Sequence, residues 1–533
     1  MEELGAFERA LLAIVRLLRQ LGALLRGQVV ELVGGPARAR VIVLFGGVLA
    51  LNSAQIATVG AIAPQLERAL HIGNTKIGLL NSVALLVGAV AVIPVGLLVD
   101  RARRVPLLAA SILLWSFATL LGAFAHSYSD LLLTRVGLGA VAATAGPAIA
   151  SLTGDYFPAS ERGRIYGYVL SGEIAGTAAG FIVSGTLASI LSWRVSLFVL
   201  ALPGFFLARA LWRTVPEPPR GGQSRLEPGV QDLEAAVAEA HRAADARAEA
   251  KASGEAEAQR EGEGEQDVAA QERPPPRVGD VEPDPELVLT EDPKAMGLVA
   301  SIRYIMRVPT NVLLIVSSSL GYFFLAGLQT FAVVFLRGHY QASQATATLV
   351  LGLLVAGALI GTLVSGRVTD VLVHSGNLQA RIWVPAISYM AAAGLLLAGL
   401  LTSRLGPAIW FYVGGAAFIS AANPPLDAAR LDIMPSGLWG RAESTRTFLR
   451  SLTQAAAPLL FGVVADVVAG LVPAQAPIGT HTHGIVSSAV GTGLQVTFLI
   501  MLSALAAAGV FLLRARHTYA RDAATAAASF SGP

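Results

Sequence analysis

The stretch GLLVDRARR, residues 96–104, decides how the rest of the chain is read. Residues 77–99 run up to and into it without one charge, and then an aspartate and three arginines crowd residues 100–104. An uncharged run of that length suits the hydrocarbon core of a bilayer, which takes about 20 helical residues to cross. The abrupt charge cluster suits the water-facing end of such a helix, and its arginines suit a cytoplasmic end.

Composition agrees with a membrane setting. Of 533 residues, 54% are hydrophobic and 14% charged, and the mean hydropathy is +0.61. A soluble chain carries nearer ~25% charged residues, so a compact soluble monomer is excluded. A net charge of +3 gives nucleic-acid binding no electrostatic footing. The absence of cysteine excludes disulfides, thiolate metal sites and a cysteine nucleophile. The lysines are Lys76, Lys251 and Lys294, and none follows a glycine, so the chain has no GK[ST] phosphate loop. It has no nucleophile elbow and no HExxH motif. We therefore expect no enzyme and no cofactor. His481 and His483 in GTHTHG make at best a weak metal pair and read as an ordinary turn.

Apolar runs long enough to span recur at 41–62, 76–99, 105–125, 130–154, 163–190 and 194–212, and again at 311–336, 346–373, 382–402, 406–434, 446–471 and 490–513. The expected fold is an all-α polytopic membrane protein with about twelve transmembrane helices in two six-helix bundles. Residues 37–214 form the N-terminal bundle and 296–516 the C-terminal one. Between them, 215–295 is rich in Glu, Ala, Arg, Gly and Pro, too polar to offset its ordering entropy, and reads as a disordered, partly helical linker with a solvated helix near 230–252. Residues 517–533 form a tail. In residues 1–36, Arg9, Arg16, Arg19 and Arg26 stripe an otherwise apolar helix, the pattern of an amphipathic helix lying in the headgroup plane.

Arginine placement orients the bundles. Arg38, Arg40, Arg101, Arg103, Arg104, Arg162, Arg164, Arg367, Arg381, Arg441, Arg446, Arg514, Arg516 and Arg521 flank loops that share one side if the spans alternate. The positive-inside rule then puts both termini and the linker in the cytoplasm of a cell whose inner membrane holds the protein.

The opening pattern repeats. GLLVD at 96–100 has a counterpart in GRVTD at 366–370, again ending the second span of its half. DYFPASERGRIYG, from Asp155, resembles DIMPSGLWGRAES, from Asp432, and Gly146-Pro147 falls opposite Asn423-Pro424. Two pseudo-symmetric halves with a substrate path between them follow from this repeat.

Ionisable residues at bilayer depth are costly and point to function. Glu173, in SGEIAGTAAG, sits about ten residues into the fifth span. Gly172, Gly176 and Gly180 make a close-packing ridge on its helix. The repeat places Arg450 at the equivalent position of the other half. An acid and a base facing each other could bind an amphiphile or exchange a proton; equally, they could form a structural ion pair. Arg135 lies a turn or two into the fourth span, to bind substrate or to snorkel outward. Asp427 and Arg430 should pair along one helix face. Asn52, Gln55 and Gln329, on the first helix of each half, and Asn423 either line a cavity or bond neighbouring helices.

These features resemble the major facilitator superfamily, whose signature after the second helix is similar to G-x-L-x-D-R-x-G-R-R. Gly96, Leu98, Asp100, Arg101 and Arg104 match it; Arg103 and Val105 depart from it. The resemblance covers both halves. It implies that Gly96 admits a close helix and that Asp100 latches a gate against the second half near 439–445, with Gly366 and Asp370 doing the same against 160–165. It also implies a substrate or proton role for Arg135. The run from Pro64 through residue 104, with DYFPASERGRIYG and SWRVSLFVLALPG, is similar to Spinster-like members, a branch associated with lipids and amphiphiles. Gln55 and Ala142 stand where that branch carries acids.

The expected function is secondary transport of a hydrophobic or amphiphilic organic molecule, lipid-like or drug-like, by alternating access. Export is expected over import, coupled to protons through Glu173, coupled differently or uncoupled, in a monomer that contacts membrane lipids. The few charges on the first and seventh spans disfavour a multiply charged substrate. Uptake of a small organic acid held by Arg135 and Arg450 is one alternative. A non-transporting receptor or scaffold is another.

Overall fold

The computed structural model describes residues 30–31, 33–157, 162–219, 226–252, 281–290, 296–435, 438–471 and 488–529. Within them, 12 helices are long and apolar enough to cross a membrane, and no strand occurs. The first six spans are Pro36–Leu70, Asn74–Arg101, Arg104–Ala123, the pair Tyr128–Ala142 with Ala145–Tyr156, Arg162–Ile190 and Trp193–Thr214. The second six are Pro309–His339, Gln344–His374, Ala380–Leu401, the pair Leu405–Ala421 with Asn423–Asp432, Trp439–Leu471 and Ser488–Ala528.

Local chemistry explains several boundaries. Pro36 and Pro309 sit in the first turn of their helices, where a missing N–H costs nothing. Ser127 and Asp130 form a capping box, and Ser192 and Ser343 each cap their own helix. The fourth and tenth spans both break into two helices, just before Gly146-Pro147 and Asn423-Pro424. Proline removes a backbone donor and clashes with the preceding turn. Large apolar side chains such as Phe117, Leu133, Phe206 and Trp410 stay exposed around the outside, as lipid contact requires.

The two halves repeat in their packing. Arg104, at the start of the third span, pairs with Asp155 at the end of the fourth, and Arg381 pairs with Asp432 in the second half. Both pairs join residues 51 positions apart, so the sequence repeat between Asp155 and Asp432 reappears as one structural motif used twice. Within the first half, Gly172, Gly176 and Gly180 lie against the backbone of Gly46, Ala50 and Ala54, where any Cβ would overlap a carbonyl. This ridge bolts the fifth span to the first.

The linker packs in two separate places. Leu226 donates its N–H to Tyr156, and Gly229 donates to Gly34. Helix Leu233–Ala252 buries Leu233, Val237 and Ala240, so the solvated helix expected near 230–252 is docked on one face against the first half. Residues 281–290 instead join the second half, where Asp284 and Leu289 donate backbone N–H groups to Thr525 and Ser529. The linker therefore marks one end of the bundle, here called the linker end. The striped N-terminal helix, apart from its last few residues, and the pair His481 and His483 lie outside the described residues.

Seven hydrogen bonds join described residues of the two halves toward the opposite, far end. Asn81 donates to Thr330 at 2.9 Å, Ser82 accepts from the backbone of Leu459 at 3.0 Å, and Gln344 donates to the carbonyl of Ala61. Asp466 adds four contacts to the start of the second span. Glycines permit the approach: a Cβ at Gly60 or Gly78 would overlap the backbone of Gln329 or Pro458. The halves are thus sealed at the far end.

Candidate functional site

Near mid-span, a small set of charged and aromatic side chains from the two halves comes within electrostatic reach. Glu173 projects from the fifth span, accessible to solvent but surrounded by protein. Its electrostatic partner is Arg450 of the eleventh span, in the other half. The Arg450 guanidinium carbon lies 4.2 Å from the centre of the Tyr322 ring. A cation over an aromatic face gains about 0.5–2 kcal/mol, and the ring fixes a long flexible side chain. Tyr322 also stands within electrostatic reach of Glu173, Asp427 and Arg446.

Below this trio lies an ion-pair network. Arg430 bonds Asp427 and Glu443, and Arg446 bonds Asp427 at 3.3 Å and Glu443 at 2.7 Å. The expected Asp427–Arg430 pair is therefore half of a four-residue cluster joining the tenth and eleventh spans. Its two arginines consume both carboxylates. Arg450, one helical turn further along, makes no hydrogen bond or ion pair among the described residues, and its Nε is buried without an acceptor. Arg450 is thus available to an incoming anion, whereas Arg430 and Arg446 are not.

Arg135 is the second arginine in this condition. It is 3% exposed, and no acceptor meets it among the described residues. An unpaired buried guanidinium is costly, so snorkelling to the outer interface does not describe its position. Arg135 therefore lies within the protein, whereas Glu173 is accessible and Arg450 half-buried, and these two stand within electrostatic reach of each other.

The amides divide. Gln55 is 2% exposed and accepts a hydrogen bond from Thr119 of the third span at 3.1 Å, a link inside the first half. Asn52, Gln329 and Asn423 are partly buried, with no side-chain hydrogen bond among the described residues. The expected gate residues also divide. Arg101 is exposed at the end of the second span. Gly366 faces Pro424 within its own half, with room for a Cβ 3.8 Å away. Arg104 is engaged in bracing the first half: besides Asp155 it donates to Ser151 at 3.0 Å, to Glu217 at 2.9 Å and to the Pro218 carbonyl at 2.9 Å. The surroundings of Gly96 and the side chains of Asp100 and Asp370 lie outside what the structure describes.

Three participants were not singled out from the sequence. Tyr322 reads as one more aromatic in an apolar span. Glu67 and Asp466 sit near the far ends of the first and eleventh spans, within electrostatic reach of each other and of Arg68 and Arg337. An acid at the end of an apolar run was the available signal for both. A separate apolar cavity of about 20 Å³, lined by Phe324, Leu328, Phe335, Val350, Leu354 and Phe498, lies within the second half. It has room for about one water-sized group, too little for an organic substrate.

Two six-helix halves, repeated in sequence and in packing and enclosing a charged cleft, define a class: a multi-pass α-helical membrane transporter fold. Residues 43–458 match the family profile of the Major Facilitator Superfamily. The chain belongs to that superfamily, which sets it among transporters rather than enzymes. It is similar to an uncharacterised transporter of Bacillus subtilis, YybO, at 26% identity over 186 residues, covering 35% of this chain and 43% of that one. A probable L-galactonate transporter of Escherichia coli is 27% identical over 143 residues, covering 27% of this chain and 32% of that one. Human protein spinster homolog 1 is 29% identical over 178 residues, covering 33% and 34%. The chain thus matches under half the length of these relatives. In fold it resembles the crystal structure of a bacterial homolog of the human lysosomal transporter Spinster, in an inward-facing and unoccupied conformation. That likeness has a TM-score of 0.67 at 20% identity and covers 91% of this chain and 98% of the other.

Proposed function

We propose that this protein is a secondary transporter that carries a hydrophobic or amphiphilic organic molecule by alternating access. Glu173 and Arg450 are the charged groups that meet the molecule between the halves. The observation that carries this reading is Arg450: a guanidinium held on the Tyr322 ring, facing Glu173 of the other half, with no carboxylate of its own. A group that binds cargo must be free of tight internal partners, and a mobile interface is where such a group can report binding to both halves. Glu173 is the acid placed to exchange a coupling proton with Arg450 nearby. Asn52, Gln329 and Asn423 supply hydrogen-bonding capacity without net charge, which suits a mainly apolar substrate with one polar end. The linker end is cytoplasmic in this reading, in a cell inner membrane, and the direction is export.

A second reading is uptake of a small organic acid. It is favoured by Arg135 and Arg450 both lacking an acceptor among the described residues, and by the likeness to a probable L-galactonate transporter.

The test is reconstitution into liposomes with an imposed pH gradient. Flux of a fluorescent lysolipid, a hydrophobic cation and an aromatic carboxylate would be compared in one preparation. Amphiphile flux that drops at least tenfold in Glu173→Gln and Arg450→Gln, with folding intact, supports the first reading. Carboxylate flux lost in Arg135→Gln and Arg450→Gln supports the second. Flux of none of the three, or flux indifferent to these substitutions, overturns the site.

A further inference from the structure

The second span starts on Gly73, which has no side chain with which to cap its helix. Its first amides are nevertheless satisfied. Asp466, on the eleventh span of the other half, accepts from the backbone N–H of Asn74 at 3.1 Å and of Thr75 at 2.8 Å. The same carboxylate accepts from the Asn74 side-chain amide at 2.9 Å and from the Thr75 hydroxyl at 2.6 Å. A helix N-terminus leaves four N–H groups without intrahelical partners, and a carboxylate there is favoured by the dipole as well. Here the cap belongs to the opposite half of the protein.

We propose that Asp466 is a positioning residue for alternating access: a cap lent across the interface, which completes the second span only while the far end is shut. Opening the far end strips two backbone amides and a carboxylate of their partners in one movement. Closing it restores all four hydrogen bonds. Gly73 is part of the device, because a Cβ there would stand 2.9 Å from Oδ2 of Asp466. Gly462, one turn before Asp466, lets the same helix lie against the backbone of Asn74.

The device is one-sided, although the halves repeat. Asp466 lies 16 residues beyond Arg450, and the residue 16 beyond Glu173 is Ser189, which carries no charge. The matching helix start in the second half, Gln344–His374, is capped by its own Ser343, which accepts from Thr346 N–H at 3.1 Å. The contact between the eleventh and second spans is therefore a latch, and the contact between the fifth and eighth spans is a plain packing surface.

The natural absence of cysteine permits a direct test. Spin labels at Ile190→Cys and Leu401→Cys, both exposed at the far end of opposite halves, report the inter-half distance in nanodiscs. In Asp466→Asn the ratio of long to short distances should rise about tenfold, ~1.4 kcal/mol, and Asp466→Glu should recover most of the short population. Ser343→Ala, which removes a cap confined to one half, should lower the unfolding temperature and leave the ratio within twofold of wild type. Should Asp466→Asn fail to fold, Gly73→Ala displaces the same carboxylate and should give the same shift. An unchanged ratio in the folded Asp466 or Gly73 variant, or an equal shift in Ser343→Ala, overturns the proposal.

Discussion

Replacing Asp155 by asparagine should destabilise the first half, because it strips buried Arg104 of one of its two carboxylate partners. Arg104 is 1% exposed in its side chain and Asp155 11%. Its remaining acceptors are Glu217, which also caps the first two amides of the third span at 3.0 and 2.7 Å, and two neutral oxygens. Removing one partner of a buried ion pair costs ~3–5 kcal/mol, whereas replacing both by apolar groups of similar size is often neutral. Glu217 still offsets the charge in Asp155→Asn, so that variant should lose about 3 kcal/mol, the low end of the range, and Arg104→Met with Asp155→Leu and Glu217→Gln should recover most of it. Denaturant unfolding in mixed micelles, followed by tryptophan fluorescence, measures both. A loss below ~1 kcal/mol in Asp155→Asn would refute the bracing role and return Arg104 to the gate. So would a triple variant that falls as far as the single one.

Other expectations follow from the packing. Gly176→Leu should prevent assembly of the first half, since even a Cβ there overlaps the Ala50 carbonyl; size-exclusion chromatography would show aggregate in place of a monodisperse peak. Gly167→Ala, with nothing within 4 Å, should be neutral or stabilising by up to ~1 kcal/mol in the same unfolding assay. Cysteines placed singly at His71 and Asp245, both exposed, should label differently with an impermeant maleimide: His71→Cys on intact cells, Asp245→Cys only after lysis. The reverse pattern would invert the orientation. Val237→Asp, a charge placed at a 2% exposed position, should undock helix Leu233–Ala252 and speed proteolysis within it several-fold, while transport persists if the helix is only a tether.

Much of this architecture was legible because bilayers impose long uncharged runs and because the chain repeats itself. Residues 77–99 read as a span, and the repeated motifs at Asp155 and Asp432 marked equivalent places in the two halves, which the structure fills with the twin Arg104–Asp155 and Arg381–Asp432 pairs. The same repeat put Glu173 and Arg450 at equivalent positions of the two halves, and they stand within electrostatic reach of each other. What stayed hidden was contact between segments distant in sequence. Asp466 reads as one acid in the last third of an apolar helix; the amides that it caps lie 392 positions away, and no periodicity connects them. Gln55 was expected either to line a cavity with Asn52 or to bond a neighbouring helix, and only the structure decides: residues three apart on a helix diverge by about 60°, enough to turn Gln55 into Thr119 of the third span. Arg104 matched a gate motif, and only its surroundings revealed a brace.

The account rests on two rigid halves whose ends open in alternation around Glu173 and Arg450. The most direct measurement pairs two distances in the cysteine-free background: Ile190 to Leu401 at the far end and Trp212 to Val371 at the linker end, all exposed positions. Each would be labelled and measured in wild type, in Asp466→Asn and at saturating transported compound. The account predicts that any condition lengthening one distance shortens the other. Two distances that lengthen together, or that move independently, would contradict it.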